Sequence, residues 1–334
     1  MRYLFLVIMS FVVFGCTSNS DTEKFQSSRK DVVDVSENIK EWDTGDVLIG
    51  SVSRFYVGDE YLCIADYKSY DNSIHLFSLS DLNHVVSSGM IGPGPNEITV
   101  LGHIEMDGVH NKMYVSDHGK YRIFSYDLDS LVLAPSIYKH QTKTKFSNSS
   151  FPDSYCYIND TLAYARVIQP TSVSTFDQGI GKWNMKTGEI KMMPYSHPEI
   201  KNKRSLFDVS LTHNFYAEVY LRHDLITLCD LDGNLICNIY GPDWDGGGRS
   251  GLSCFGGVVV TEKYIIASYS GGDYNKEYYP TKLLFFNLNG DYVKTLDVKR
   301  KINHFCYNPK QNSVVMSFND EIQFGYLELT SLGL

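Results

Sequence analysis

Several things are scarce in this sequence, and each scarcity excludes something. Basic charge is outweighed: 30 Lys and Arg against 39 Asp and Glu leave a formal charge of −9. Gripping phosphates needs clustered Lys and Arg, so the balance argues against nucleic acid as a partner. After the first sixteen residues no apolar run approaches membrane-spanning length, and the body of the protein is expected to be soluble. None of the seven cysteines forms a C-x-x-C pair, which argues against a zinc ribbon. The Gly-x-Ser-x-Gly elbow, the Gly-x-x-x-x-Gly-Lys phosphate loop, His-Glu-x-x-His and the sialidase Asp box are all missing.

What is abundant is aromatic. There are 24 Tyr and 18 Phe, residues that with Val and Ile favour half-buried pleated surfaces, so the expectation is an all-β chain. The N-terminus has its own pattern: Arg2, an apolar stretch from Leu4 to Phe14 broken only by Ser10, then Val13-Phe14-Gly15-Cys16. This resembles the bacterial lipoprotein signal, which commonly has Leu where Val13 stands. The resemblance implies cleavage before Cys16, a diacylglycerol on its sulfur, and a cell-envelope location. Since Thr17 is not the aspartate that retains some lipoproteins at the inner membrane, it implies the outer membrane, on either its periplasmic or its outer side. The organisation expected is a signal over 1–15, a lipidated Cys16 with a flexible polar linker over 16–45, and a folded body over 46–334. Of the other cysteines, Cys63, Cys156, Cys229 and Cys306 sit in apolar strand patterns, and most of the six are expected to be free thiols.

A repeat sets the architecture. Ser53-Arg54-Phe55, Gly102-His103-Ile104, Ser149-Ser150-Phe151, Ser205-Leu206-Phe207, Ser253-Cys254-Phe255 and Asn303-His304-Phe305 share a small or polar first position and an apolar third. Their third positions are 49, 47, 56, 48 and 50 residues apart. In phase with them run further strand patterns and tight turns, of which Asp232-Gly233 and Asn289-Gly290 are strong hairpin signals. Four strands in each of six such units make a six-bladed β-propeller with four-stranded blades. The last unit runs out of chain before its outer strand. The N-terminal strand Asp46–Gly50 is therefore expected to complete the last blade and close the ring. A two-residue turn at Asp232-Gly233 would pair Cys229 with Ile236 and put Cys237 on the opposite face.

With the blades assigned, Ile91-Gly92-Pro93-Gly94-Pro95-Asn96-Glu97 resembles the Gly-x-Gly-Pro-Gly-Glu loop of the TolB-like six-bladed propeller lipoproteins of Bacteroidetes-type envelopes. It departs in the Pro95-Asn96 that precedes the glutamate. The resemblance implies a fold and an envelope setting, and no activity.

The loop-bearing face is where a ligand or partner is expected. It would carry Glu97, Asp243, Trp244, Asp245 and Arg249, and two long insertions, Val167–Gly181 with Phe176 and Ser270–Thr281 with Tyr274, Tyr278 and Tyr279. Aromatic loops suit sugar rings or protein surfaces. The leading expectation is a binding module for an envelope protein or a glycan, without a catalytic set. The alternative is a hydrolase or lyase using Arg54, His103, His304 and Glu97 in the central channel. The six middle positions of the tripeptides, Arg54 to His304, are expected to ring that channel. A metal between the two histidines is disfavoured because the set lacks carboxylates. Calcium at Asp243-Trp244-Asp245 is disfavoured because a closing Glu is missing, and no cofactor is otherwise expected.

Overall fold

A computed structural model describes residues 20–146, 150–248, 251–276 and 278–334. Cys16, the signal and Arg249 lie outside the described residues. Six sheets, each with four antiparallel strands, stand around a central channel, their innermost strands being Ser53–Val57, Leu101–Asp107, Phe151–Asn159, Ser205–Ser210, Leu252–Val260 and Ile302–Asn308. All six tripeptide third positions fall on these strands. Packing runs from each blade to the next and from blade 6 back to blade 1, so the protein is a six-bladed β-propeller.

The reason is visible in the burial of single strands. The second strand of blade 1, Tyr61–Asp66, is buried at five consecutive positions, and Phe215–Tyr220 of blade 4 at all six. A sheet with one wet face would alternate; these strands are covered on both sides. Each face belongs to a different core. Cys229 packs with Ile180 and Tyr216 between blades 3 and 4, whereas Cys237 packs with Phe255 and Phe286 between blades 4 and 5. Among the described residues all six cysteines are free thiols, and five are buried.

Three expectations are corrected. First, the ring is closed by an N-terminal strand, but that strand is Lys40–Glu41, which pairs with Gly325 and Tyr326 of blade 6. Asp46–Gly50 is instead the connection into blade 1, where Gln323 Nε2 holds Ile49 O at 2.7 Å. Trp42 decides the matter. Its indole sits edge-on to Phe77 with centroids 4.9 Å apart and donates to Leu82 O at 3.1 Å, plugging the seam between blades 6 and 1.

Second, residues 20–45 are not a free linker. Glu23–Phe25 adds a parallel fifth strand to blade 4, and Val32–Asp34 does the same for blade 5. Phe25 stacks on Tyr240 with centroids 4.5 Å apart. Polar composition hid this because an edge strand needs only its backbone to pair.

Third, the turn at Asp232-Gly233 holds three residues. Asp230 N donates to Asn234 O and Gly233 N to Asp230 O, each at 2.9 Å, and Gly233 takes φ +84°. Cys229 therefore pairs with Leu235, and a bulge brings Leu228 opposite Cys237. The Asp230 carboxylate selects this loop by accepting from Asp232 N and Asn234 N.

Candidate functional site

The channel comes first, because the alternative reading depends on it. Its cavity holds about 370 Å³ between the innermost strands. Of the six middle positions only His103 and His304 line it. Leu206 and Cys254 pack into the core between blades 4 and 5, and the equivalent stretch of blade 3 is Ser154–Cys156 rather than Ser150. The innermost strands of blades 3 and 5 are nine residues long and bulged, which shifts their register against the repeat. Arg54 keeps access to solvent although protein crowds it, and its guanidinium lies 5.4 Å from the Tyr67 ring.

Both histidines are engaged between blades. His103 Nε2 lies 2.7 Å from Tyr155 O and 3.3 Å from Glu105. His304 Nδ1 accepts from Phe55 N at 3.3 Å, and burial with Arg54 nearby pushes its pKa down to about 3. The two stand on blades 2 and 6, with blade 1 between them.

Carboxylates from outside the six middle positions also reach the channel: Glu105 and Asp208 line it. Asp208 accepts from Val260 N at 2.7 Å, yet desolvation raises its pKa to about 6; burial also raises that of Glu105. The pattern that could have found them is the residue after the tripeptide's apolar third position. Among the described residues no group of three or more His, Cys, Asp or Glu stands close enough to hold a metal ion.

Glu97 does not line the cavity. It folds back on its own loop and accepts from Gly94 N at 2.6 Å, while Lys120 Nζ donates to Gly94 O. A Cβ on Gly92 would fall 2.1 Å from the Glu97 carboxylate, so the glycine is what lets the loop close around it.

The remaining candidates gather on the other side of the ring, between blades 4 and 5. Their organiser is Asp224, fully buried in the turn between the second and third strands of blade 4. Arg29 from the N-terminal strap grips both its oxygens, at 2.8 and 3.2 Å, and Asp243 N and Tyr269 Oη each donate to it at 3.2 Å. Asp243 Oδ2 also accepts from Tyr269 Oη at 2.9 Å. Asp245 lies 3.3 Å from His223 Nδ1, so the two acids of the candidate calcium loop face different partners. Trp244 is half-buried against Tyr240, 4.9 Å between centroids, and helps hold Phe25 of the strap.

Above this platform opens a groove of about 1140 Å³, lined by Glu199, Lys201, Arg204, Arg222, Gly246–Gly248 and Tyr274 among others. The blade 3 insertion is an extended hairpin, paired out to Pro170 opposite Phe176, whereas in blade 5 the second strand runs on to Asp273, paired with Leu252 of the innermost strand, and residues 274–276 and 278–281 are irregular. Both insertions carry rings to the groove. Arg204 lies 3.8 Å over Phe176 and Arg222 3.0 Å over Tyr274. Tyr278 and Tyr279 stack 4.5 Å apart beside them. The structure thus brings together Asp243, Trp244, Asp245, Tyr274, Tyr278 and Tyr279 and leaves Glu97 out. Sequence reasoning missed Lys201, Arg204 and Arg222, which lie at blade corners with no motif around them.

This architecture is shared. The model of the DUF5128 family, described as a 6-bladed beta-propeller, matches residues 18–228. The chain belongs to that family. No protein with a curated description matches the sequence. Among solved structures the chain is similar to a DUF4221 family member from Bacteroides vulgatus, at TM-score 0.56 and 11% identity over 86% of this chain and 94% of that one. It is also similar to a Bacteroides fragilis protein described as exported, at TM-score 0.55 and 12% identity over 89% and 88%. The Cps50 (Swd1) β-propeller domain from Myceliophteria thermophila matches at 0.53 and 11% over 87% and 99%. At such identities these likenesses speak for the fold alone.

Proposed function

We propose that this DUF5128 propeller is a lipid-anchored binding module of the cell envelope that holds an envelope protein or glycan on its loop-bearing face, over blade 4. The observation that carries the reading is the large groove with aromatic-backed cations, standing on a platform fixed by Asp224. Support for the setting comes from the Val13–Cys16 pattern, from the likeness of the Gly92–Glu97 loop to TolB-like lipoproteins, and from a structural relative described as exported. Only seven peptide steps separate Cys16 from the first strand at Glu23, a reach of at most about 25 Å, so a lipid there would keep the ring close to the bilayer. Crosslinking in intact envelopes followed by pull-down tests the module. Capture should fall with Tyr274→Ala and persist with His304→Gln, and the reverse result refutes the reading. A Cys16→Ser chain that stays with the membrane would refute the anchor.

A second reading, a hydrolase or lyase in the channel, is favoured by one observation: Glu105 and Asp208 face the cavity with raised pKa values. It requires an activity that Asp208→Asn abolishes while Tyr274→Ala spares it.

A further inference from the structure

The innermost strands meet the channel at one common level. Tyr56, Glu105, Cys156, Asp208, Val259 and Cys306, one from each blade, all line the cavity. Each lies opposite the third residue of its blade's second strand. The level has two unlike arcs. Blades 2 to 4 supply two carboxylates with a thiol between them. Blades 5, 6 and 1 supply Val259, Cys306 and Tyr56, whose hydroxyl is already bonded to that of Tyr67 at 2.8 Å. One residue further along their strands, Val57, Met106 and Val209 continue the apolar lining. Every residue that lines the cavity is among those described.

The acidic arc faces no permanent cation. The lining contains no Lys or Arg, and Arg54 stands outside it with its guanidinium over the Tyr67 ring. His304 is neutral, its pKa pushed down to about 3 by burial and by Arg54. His103 Nε2 lies 3.3 Å from Glu105 but 2.7 Å from Tyr155 O, and Glu105 also accepts from Tyr157 N at 2.8 Å. Asp208 has less. Its donors are the main-chain N–H groups of Val260 and Val209, and the charge of Glu105, which acts on it, has the same sign. Burial and the two carboxylates push the Cys156 thiol up, so it stays neutral. A carboxylate withdrawn from water without a counter-charge is a standing cost, and a neutral residue of the same shape is often no less stable in its place. A ligand that brings the missing charge offsets that cost by binding. A metal ion does not fit, because among the described residues no three His, Cys, Asp or Glu stand close enough to share one. An ammonium group needs only one such carboxylate, and the apolar body attached to it can lie on the opposite arc. The volume, about 370 Å³, holds one small molecule of that kind.

We propose that the central channel binds a small organic amine, with Asp208 holding its ammonium group, Glu105 adding attraction from across Cys156, and Val259, Cys306 and Tyr56 covering its apolar body. This site is separate from the face over blade 4 and does not rest on the binding-module reading.

The test uses the whole mature chain at pH 7.5, where aliphatic amines are cations, and five probes: phenethylamine, hexylamine, the neutral phenethyl alcohol, the anionic 3-phenylpropionate, and calcium chloride. Calorimetry should show one or both amines binding at a single site, about tenfold or more tightly than the alcohol, and no binding of 3-phenylpropionate or calcium. Asp208→Asn should weaken amine binding about tenfold or more while raising the melting temperature of the unliganded chain, a combination that a purely structural aspartate does not produce. Glu105→Gln, which keeps an acceptor for Tyr157 N, should weaken it several-fold. Glu97→Gln, outside the cavity, should leave it as it was. Should Asp208→Asn fail to fold, Glu105→Gln carries the test alone. Failure of both amines to bind, an alcohol bound as tightly as its amine, amine binding indifferent to the channel variants, or calcium binding that Asp208→Asn abolishes each overturns the proposal.

Discussion

Two corners of this ring occupy the same topological position and are built in opposite ways. The connection from blade 1 to blade 2 and the one from blade 4 to blade 5 lie diametrically across the channel, and each opens with a glycine packed against a carboxylate. A Cβ on Gly92 would meet Glu97, and one on Gly241 would meet Asp224 at 2.0 Å. At the first corner the carboxylate comes from the loop itself. Glu97 accepts from Gly94 N, Lys120 stitches the carbonyls, and Asp117 accepts from Thr99 N and Val100 N, so the loop's own polar groups are spent on its closure. At the second corner the carboxylate lies beneath, in blade 4, and is shared with Arg29 of the strap. The loop is held from below, and its upper side borders a groove. A self-closed corner is a rivet, whereas a corner held from underneath can present its surface to something else.

The largest test of this contrast removes the strap. A chain starting at Asp43 loses the strands at 23–25, 32–34 and 40–41, Trp42 and the Arg29–Asp224 pair. It should aggregate or melt far below a chain starting at Ser20. Equal melting temperatures would break the comparison, because the second corner would then need no support from below.

Arg29→Ala isolates the charge. Asp224 would remain buried with Tyr269 Oη and Asp243 N as its donors among the described residues, and the expected loss is about 3–5 kcal/mol by denaturant unfolding. Binding at the groove should weaken with it as the 243–245 loop loosens, and a stable Arg29→Ala chain with full binding would refute the platform role.

The channel both corners share is separated by pH. The pKa of Asp208 is raised in the folded state, so its contribution to stability is present below its ordinary value and is lost as pH rises through about 6. The pKa of His304 is lowered, so its contribution is present above its ordinary value and is lost as pH falls toward about 3. Asp208→Asn should therefore gain on the order of 2 kcal/mol relative to the parent at pH 7.5 and nothing below pH 4, with groove binding unchanged. A stability difference independent of pH would contradict the raised pKa.

Glu97→Gln should cost about 1–2 kcal/mol through the weakened bond to Gly94 N, and should leave binding unaltered. Tyr274→Ala should do the reverse, changing thermal stability within about 0.5 kcal/mol while reducing capture of the partner. If these two variants exchanged phenotypes, the first corner would be the binding one.

How far each corner could be read in advance follows from the range of the forces involved. The Gly92–Glu97 loop was recognisable because its motif lies within six residues, and Glu97 closes on Gly94 N within it. The second corner was read only in outline. Asp243, Trp244 and the tyrosines of the blade 5 insertion were visible as a polar and aromatic stretch, but Arg29 is 195 residues from the aspartate it neutralises. Arg204 and Arg222 meet their rings only because neighbouring blades converge there.

By itself the sequence determined the six-fold repetition, the all-β character and the positions of the inner strands, because burial on both faces of every sheet imposes a pattern that local residues must satisfy. The expected closure of the last blade by an N-terminal strand is met, by Lys40–Glu41 on Gly325 and Tyr326. Tertiary structure alone decided which strand that is. Backbone pairing at a sheet edge places almost no demand on side chains, and a plug such as Trp42 declares itself only against Phe77 and Phe324. It also decided the register of the bulged strands in blades 3 and 5, the three-residue turn selected by Asp230, and the gathering of cations over blade 4. The turn follows from side-chain contacts within five residues that the Asp-Gly pair alone does not specify, and the other two depend on residues that the chain order keeps apart.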